Sequence, residues 1–110
     1  MYALSLLALL LPLVAADTHN WCACKSWTKG GYWGVNQQLS YFVCVVDYKG
    51  VAKFNPHNHL CERLDGFQFD GDTWEGHCKA AGMGYFPIKP DGTMDISGYP
   101  LRVDAALGSC

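Results

Sequence analysis

The sequence predicts a single α+β domain in which two short helices pack on a small antiparallel sheet and disulfides staple the parts together. Three observations lead to this prediction. The chain has 110 residues and six cysteines, all beyond its apolar start. A short stretch with strand alternation precedes one with helical periodicity. Turn-forming residues separate the remaining apolar segments. Because the core of so small a domain is thin, cross-links must supply part of its stability.

Residues 1–16 have the pattern of a signal peptide, because an apolar run ends in small residues, with Val14 at −3 and Ala16 at −1. The alternative is an uncleaved membrane anchor, but a membrane span needs about 20 apolar residues. We therefore expect cleavage after Ala16, no membrane insertion afterwards, and a secreted, cysteine-rich domain over residues 17–110.

The cysteines of this domain are Cys22, Cys24, Cys44, Cys61, Cys78 and Cys110. An even count in a short secreted chain predicts three disulfides. Cys22 and Cys24 are too close in sequence to bond without strain, so they should reach different partners. A bond from Cys110 would hold the C-terminus. Zinc binding by Cys22 and Cys24 with Cys44 or His77 is the alternative, but it lacks the two-residue gap of common zinc sites.

The segment from Lys25 to Gly34 predicts an exposed loop, because it combines three glycines and two lysines with aromatic residues. Residues 36–50 are ambiguous. Asn36 could cap a helix with Leu39, Phe42, Val43 and Val46 on one face, ending at Gly50. Residues 41–46 are also rich in strand formers and could form a hairpin with residues 51–54; propensity alone slightly favours this strand.

The clearest helix follows a short strand in which Phe67 and Phe69 alternate with polar residues. Asp72 and Glu75 predict a capping box at the start of the helix, and Gly82 suits a left-handed residue at its end. One helical face collects Trp74, His77, Cys78 and Ala81. Beyond the helix, residues 85–88 and 94–96 flank a Pro-Asp-Gly turn and predict a second hairpin. Residues 99–103 predict an edge strand.

Several function classes find little support. A net charge of −2 without a basic block gives none for nucleic-acid binding. No Gly-x-Ser-x-Gly motif is present, and cysteines in disulfides cannot act as nucleophiles. A turn and a helix cap explain the carboxylates Asp65, Asp70, Asp72 and Glu75, whereas a glycosidase needs two carboxylates across a cleft. We therefore predict a non-enzymatic protein without a cofactor; a small hydrolase would require such a cleft, with one carboxyl pKa raised.

His19 is a candidate metal ligand. Cleavage after Ala16 would place His19 third in a new Asp17-Thr18-His19 terminus, whose nitrogens can surround Cu(II) or Ni(II) in a square plane. His57, His59 and His77 could also bind a metal, but the first two lie in a Pro-Asn turn where solvation is the simpler interpretation.

The aromatic residues of the loop predict a carbohydrate site. Exposed rings stack on the apolar faces of sugars, while neighbouring amides and amines bind hydroxyl groups. The alternative is that these rings cover a small core. The candidate glycan-binding residues are Trp27, Lys29, Tyr32, Trp33 and Asn36, with Lys25 nearby.

The order of the cysteines, together with the Asp-Thr-Trp-Glu-Gly-His-Cys-Lys-Ala-Ala-Gly helix, resembles small secreted cysteine-rich proteins of fungi. The chain is most similar to the glycan-binding Y-three domain of mushroom lectins, over about residues 21–82. This resemblance implies a helix over residues 36–48 and a glycan or glycoprotein surface as partner. The alternative function is a small effector or toxin that acts on a host or competitor protein.

Overall fold

The computed structural model describes residues 18–110, so the predicted signal peptide, its cleavage site and Asp17 lie outside it. The strands are β1 (Thr18–His19), β2 (Trp21–Trp27), β3 (Gly34–Val35), β4 (Ala52–Asn55), β5 (Leu60–Arg63), β6 (Phe69–Asp70) and β7 (Ala105–Ser109). The helices are α1 (Gln37–Asp47) and α2 (Gly71–Gly82). Two helices on antiparallel sheets with three disulfides confirm the predicted α+β class.

Strand β2 organises the sheet. It pairs with β5 at its start and with β3 and β7 further along, and β4 pairs with β5. Lys25 pairs with Val35 of β3 and with Leu107 of β7, so β3 and β7 lie on opposite edges of β2. Strands β1 and β6 form a separate two-stranded sheet.

The helix predicted over residues 36–48 is present as α1, and the strand over residues 41–46 is wrong. Asn36 is the N-cap, and its side-chain oxygen accepts a hydrogen bond from the Leu39 amide at 2.9 Å. Leu39 and Val43 are fully buried, whereas Val46 is 41% exposed. The helix therefore buries a narrower face than predicted, and that burial outweighs the strand propensity.

Helix α2 begins earlier than predicted. Its N-cap is Asp70, whose carboxylate accepts from the Thr73 amide at 2.9 Å and the Thr73 hydroxyl at 2.7 Å. The predicted capping box is wrong, because β6 runs directly into the helix and Asp72 already lies in the first turn. Glu75 does not reach back to the cap. It accepts from the Gly108 amide of β7 at 3.0 Å.

The prediction for Gly82 is also wrong, because this residue is the last of α2 and keeps the helical conformation. A Cβ atom at Gly82 would lie 2.8 Å from Val103 Cγ2. Close packing, rather than a left-handed backbone, therefore requires glycine here. Trp74, Cys78 and Ala81 are buried as predicted, while His77 remains partly exposed.

The three predicted disulfides are present, and they join Cys22 to Cys110, Cys24 to Cys78 and Cys44 to Cys61. Neighbouring cysteines Cys22 and Cys24 do reach different partners. The bond from Cys110 holds the C-terminus against β2. Because every cysteine is committed to a disulfide, the zinc alternative is wrong.

The sheet has two unlike faces because side chains alternate along a strand. Cys22 and Cys24 project to one side and carry bonds to the C-terminus and to α2. Cys61 is paired with Cys22, shares that side and bonds to α1. Both helices therefore pack on this inner face. We call the opposite side, which carries Trp21, Lys25 and Trp27, the outer face.

The C-terminal segment keeps the predicted turn but little of the predicted strands. The Lys89 amide donates to the Thr93 carbonyl and the Gly92 amide to the Lys89 carbonyl, both at 2.8 Å. Gly92 has a φ of 85°, which favours glycine. Pairing beyond the turn consists of single bridges, Ile88 with Met94 and Tyr85 with Leu101.

Within residues 18–110, no helix combines the length and apolar character needed to cross a membrane. The three disulfides are consistent with an extracellular protein.

Candidate functional site

The predicted aromatic loop is a β2–β3 hairpin. Strand β2 continues to Trp27, which pairs with Ala105 of β7, so the connection covers only residues 28–33. The prediction that the loop begins at Lys25 is therefore wrong, because pairing with β7 extends the strand. The Gly31 amide donates to the Thr28 carbonyl at 2.8 Å, and Gly30 has a φ of 88°.

Two contacts fix this hairpin on the body of the protein. The Lys29 amide donates to Asp104 Oδ2 at 2.7 Å, which ties the loop to the residue that precedes β7. The Asn36 amide donates to the Cys24 carbonyl at 2.9 Å, where β3 leads into α1. The loop is therefore held at both ends.

The three aromatic residues of the hairpin differ in exposure. The Tyr32 ring is 95% exposed and Trp33 is 49% exposed, while Trp27 is partly buried. None of the three belongs to the buried core or packs against it. The alternative that these rings cover the core therefore finds no support here.

An open groove of about 410 Å³ lies between the hairpin and the start of α1. Its lining consists of Ser26, Tyr32, Gly34, Val35, Asn36, Gln37 and Gln38. One aromatic ring, three side-chain amides and a hydroxyl thus share a shallow surface. Amides and hydroxyls both donate and accept hydrogen bonds, as recognition of sugar hydroxyls requires.

Asn36 has a structural task within this groove. Its Oδ1 atom accepts from the Leu39 amide, and its Nδ2 atom donates to Ser26 Oγ at 3.0 Å and to Tyr85 Oη at 3.2 Å. Both donors of the amide are used, which leaves one lone pair of Oδ1 for a ligand. Asn36 therefore holds the floor of the groove together.

The structure brings Tyr32 and Asn36 together in the groove, but Trp27, Lys29 and Trp33 do not line it. Lys25 and Trp27 project from the outer face of β2. Sequence reasoning missed Gln37 and Gln38, although two consecutive amides directly after a helix N-cap were a usable signal.

Four carboxylates have lowered pKa values because they accept hydrogen bonds. The Thr73 hydroxyl and amide lower the pKa of Asp70, and the Gly108 amide and then Lys79 lower that of Glu75. Hydrogen bonds from Thr93 and Ser97 likewise lower the pKa values of Asp91 and Asp95. All four serve as acceptors in caps, turns and a helix–strand contact, and such ionised groups are poor general acids.

No group of three or more His, Cys, Asp or Glu side chains is placed to hold a metal ion between Thr18 and Cys110. His77 Nδ1 instead contacts Asp47 at 3.3 Å. His19 lies in β1, opposite Phe69 of β6, while Asp17 is outside the described residues. Copper binding at this terminus would therefore have to compete with strand pairing.

We compared the chain with protein-family models, with curated proteins and with solved structures, and none of the three comparisons gave a significant match.

Proposed function

We propose that this is a secreted, non-enzymatic glycan-binding protein and that its binding site is the groove between the β2–β3 hairpin and α1. One observation carries the proposal: the almost fully exposed Tyr32 ring stands beside a groove lined by three side-chain amides. A ring face can cover the apolar face of a pyranose, while Gln37 and Gln38 reach its hydroxyl groups.

The exposure of Tyr32 on a loop that is held in place supports this proposal. Exposing a large ring to water forgoes the hydrophobic stabilisation that burial would provide. The loop that carries Tyr32 is nevertheless fixed by the Lys29–Asp104 contact and by the Thr28–Gly31 turn. Holding the loop in place before binding reduces the entropy cost of association. A shallow groove still implies weak affinity at one site, which display on a multivalent surface would raise.

The first prediction concerns Tyr32. Loss of stacking in Tyr32→Ala should weaken binding by on the order of 1 kcal/mol or more, as aromatic truncation at a binding hot spot commonly does. The measurement is a glycan array probed with the secreted protein, followed by titration of the best ligand.

Mass spectrometry of the same secreted material should find Asp17 at its N-terminus.

Tyr99→Ala is the matched control, because Tyr99 is also 95% exposed but does not line the groove. We expect unchanged binding in Tyr99→Ala and unchanged melting temperatures in both variants. Equal binding by wild type and Tyr32→Ala, or no glycan bound by wild type, would refute the proposal.

The second candidate is an effector or toxin that acts on a protein target. Exposed apolar side chains of the C-terminal segment favour it: Met83 is 76% exposed and Ile96 is 70% exposed. This function predicts that Ile96→Ser lowers activity towards the target organism while Tyr32→Ala does not.

A further inference from the structure

The outer face of the sheet carries aromatic and charged side chains that the core does not use. Strand register arranges them in two rows. Lys53 of β4, Glu62 of β5 and Trp21 of β2 form the first row. Val35 of β3, Lys25 of β2 and Leu107 of β7 form the second. Trp27 lies on the same face at the end of β2.

This face is open to solvent at Trp21 and Val35, which are 48% and 50% exposed. Trp27 and Leu107 are partly buried, and the small side chain of Ala23, between Trp21 and Lys25, is buried. None of the four larger side chains belongs to the core cluster or packs against it. Both helices are bonded to the inner face, so neither helix covers Trp21 or Trp27.

The chemistry of the outer face favours a carbohydrate over a protein partner. Charged residues, Lys and Glu in particular, are depleted at the centres of protein–protein interfaces. Here Lys25 lies between Trp21 and Trp27 along β2, and Glu62 of β5 pairs with Trp21. Asn55 Nδ2 donates to Glu62 Oε1 at 3.2 Å, which adds a side-chain amide to the same surface. Flat rings alternating with hydroxyl-binding groups suit sugar units better than an apolar protein surface.

The outer face meets the groove at Val35, which lines the groove and pairs with Lys25 in the second row. Trp27, on the same face, is the last residue of β2 and precedes the hairpin loop that carries Tyr32. At about 3.3 Å per residue, Trp21 and Trp27 are about 20 Å apart along the strand. A ligand that reached from the hairpin to Trp21 would therefore have to be a chain rather than a single terminal sugar.

We propose that the outer face extends the hairpin site into a platform for a linear polysaccharide, in which Trp21 contacts the sugar units farthest from Tyr32. This inference rests on the proposed function and makes it more specific. It identifies the ligand as an extended chain of several pyranose units. Lys25 and Glu62 bind hydroxyl groups of the units between the rings.

The test compares short and long ligands. Isothermal titration of the mature protein with cello- and chito-oligosaccharides of two and six units should give tighter binding of a hexamer. Trp21→Ala should weaken hexamer binding at least about fivefold, by the size of aromatic hot-spot losses, and leave dimer binding unchanged. Tyr32→Ala should weaken both. Tyr99→Ala is the control for an exposed ring elsewhere, and Trp21→Leu keeps apolar packing without the ring if the alanine variant is unstable.

The possible results separate this inference from the proposed function. Equal affinity of wild type for dimer and hexamer, or an unchanged hexamer affinity in both Trp21 variants, overturns the platform and leaves the hairpin site intact. If neither oligosaccharide series binds, the platform is overturned, and the glycan array alone then decides the hairpin site. Concentration-dependent dimerisation that is lost in Trp21→Ala, seen by analytical ultracentrifugation, would show that the face binds a second copy and would also overturn the platform.

Discussion

At the scale of single residues, Tyr48 is the point where packing and polarity conflict. Its ring lies among Phe67, Phe69, Trp74 and His77, with ring centroids between 5.1 and 5.8 Å away. Its hydroxyl is buried and has no hydrogen-bond partner among the described residues. Burial raises the pKa of this hydroxyl, and the charges of Asp47 and Asp70 raise it further. The packed ring of Tyr48 therefore stabilises the core, whereas its buried hydroxyl destabilises the fold.

The resulting prediction is that Tyr48→Phe is neutral or stabilising. A buried group without a hydrogen bond costs about 1 to 3 kcal/mol, and phenylalanine removes that cost while keeping the ring. Tyr48→Ala should instead destabilise by about 3 to 5 kcal/mol, because it leaves a large cavity. Urea unfolding at neutral pH measures both changes. A clear loss of stability in Tyr48→Phe would show that the hydroxyl has a partner, such as a bound water molecule.

At the scale of elements, the contact between α2 and β7 fastens the C-terminus to the body. Gly108 packs so closely that a Cβ atom would lie 2.9 Å from Glu75 Cα and from Trp74 Cδ1. The Trp74 indole donates to the Ala23 carbonyl of β2 at 2.8 Å. Glu75 accepts from the Gly108 amide and contacts Lys79 Nζ at 3.2 Å. A single turn of α2 therefore joins two strands.

This contact predicts acid sensitivity. Because the pKa of Glu75 is lower in the folded protein than its usual value of 4.5, the group stabilises the fold above that pH. The stabilisation is lost as pH falls through the folded pKa, since protonation removes the charge that binds the Gly108 amide and Lys79. Glu75→Gln should lower stability at pH 7 but flatten the decline below about pH 4.5. Thermal unfolding between pH 2.5 and 7 checks this.

Lys79→Met is the matched control for the pH experiment, since it removes only the exposed ion pair and leaves the Gly108 contact. Surface ion pairs contribute little, so its pH profile should stay close to that of wild type. If Glu75→Gln keeps the full acid sensitivity of wild type, the contact with Gly108 does not depend on charge. The loss would then belong to other carboxylates with lowered pKa values, such as Asp70.

At the scale of the whole molecule, three disulfides bond α1, α2 and the C-terminal segment to strands β5 and β2 of the sheet. The Cys22–Cys110 bond closes the longest loop, with a sequence separation of 88, and the Cys44–Cys61 bond the shortest, with 17. Removing one native disulfide from a small secreted domain typically costs about 2 to 5 kcal/mol. Such a loss is comparable with the total stability of a domain of this size.

We therefore predict that peptide mapping of the non-reduced protein finds these three pairings and no free thiol. Reduction should unfold the domain, as a loss of near-ultraviolet circular dichroism would show. The Cys44→Ala/Cys61→Ala variant removes the disulfide that closes the shortest loop. Its stability is compared with that of Cys22→Ala/Cys110→Ala, which lacks the disulfide that closes the longest loop. A bond between Cys22 and Cys24, or a folded reduced protein, would contradict this arrangement.

Local sequence patterns were sufficient to predict which elements the fold contains. They predicted two helices, an antiparallel sheet and three disulfides. Hydrophobic periodicity is a property of each segment, and the number of cysteines can be counted without knowing the fold. They also predicted an exposed loop that carries Tyr32, because glycines and lysines favour a loop wherever they lie in the fold, although they did not predict that this loop closes a β2–β3 hairpin. Resemblance, rather than propensity, was needed to assign α1, since the strand formers of residues 41–46 fit either structure.

How these elements meet depends on tertiary contacts that local patterns do not report. The end of β2 at Trp27, the strand that ends at the helix cap Asp70 and the packing role of Gly82 depend on contacts with residues distant in sequence, namely those of β7, β1 and Val103. The composition of the candidate site also depends on how the elements meet. Gln37 and Gln38 join Tyr32 only because α1 starts directly after β3. Trp21 and Trp27 share one face because they are six residues apart on the same strand, but no local sequence pattern reports which face of a sheet the helices leave open.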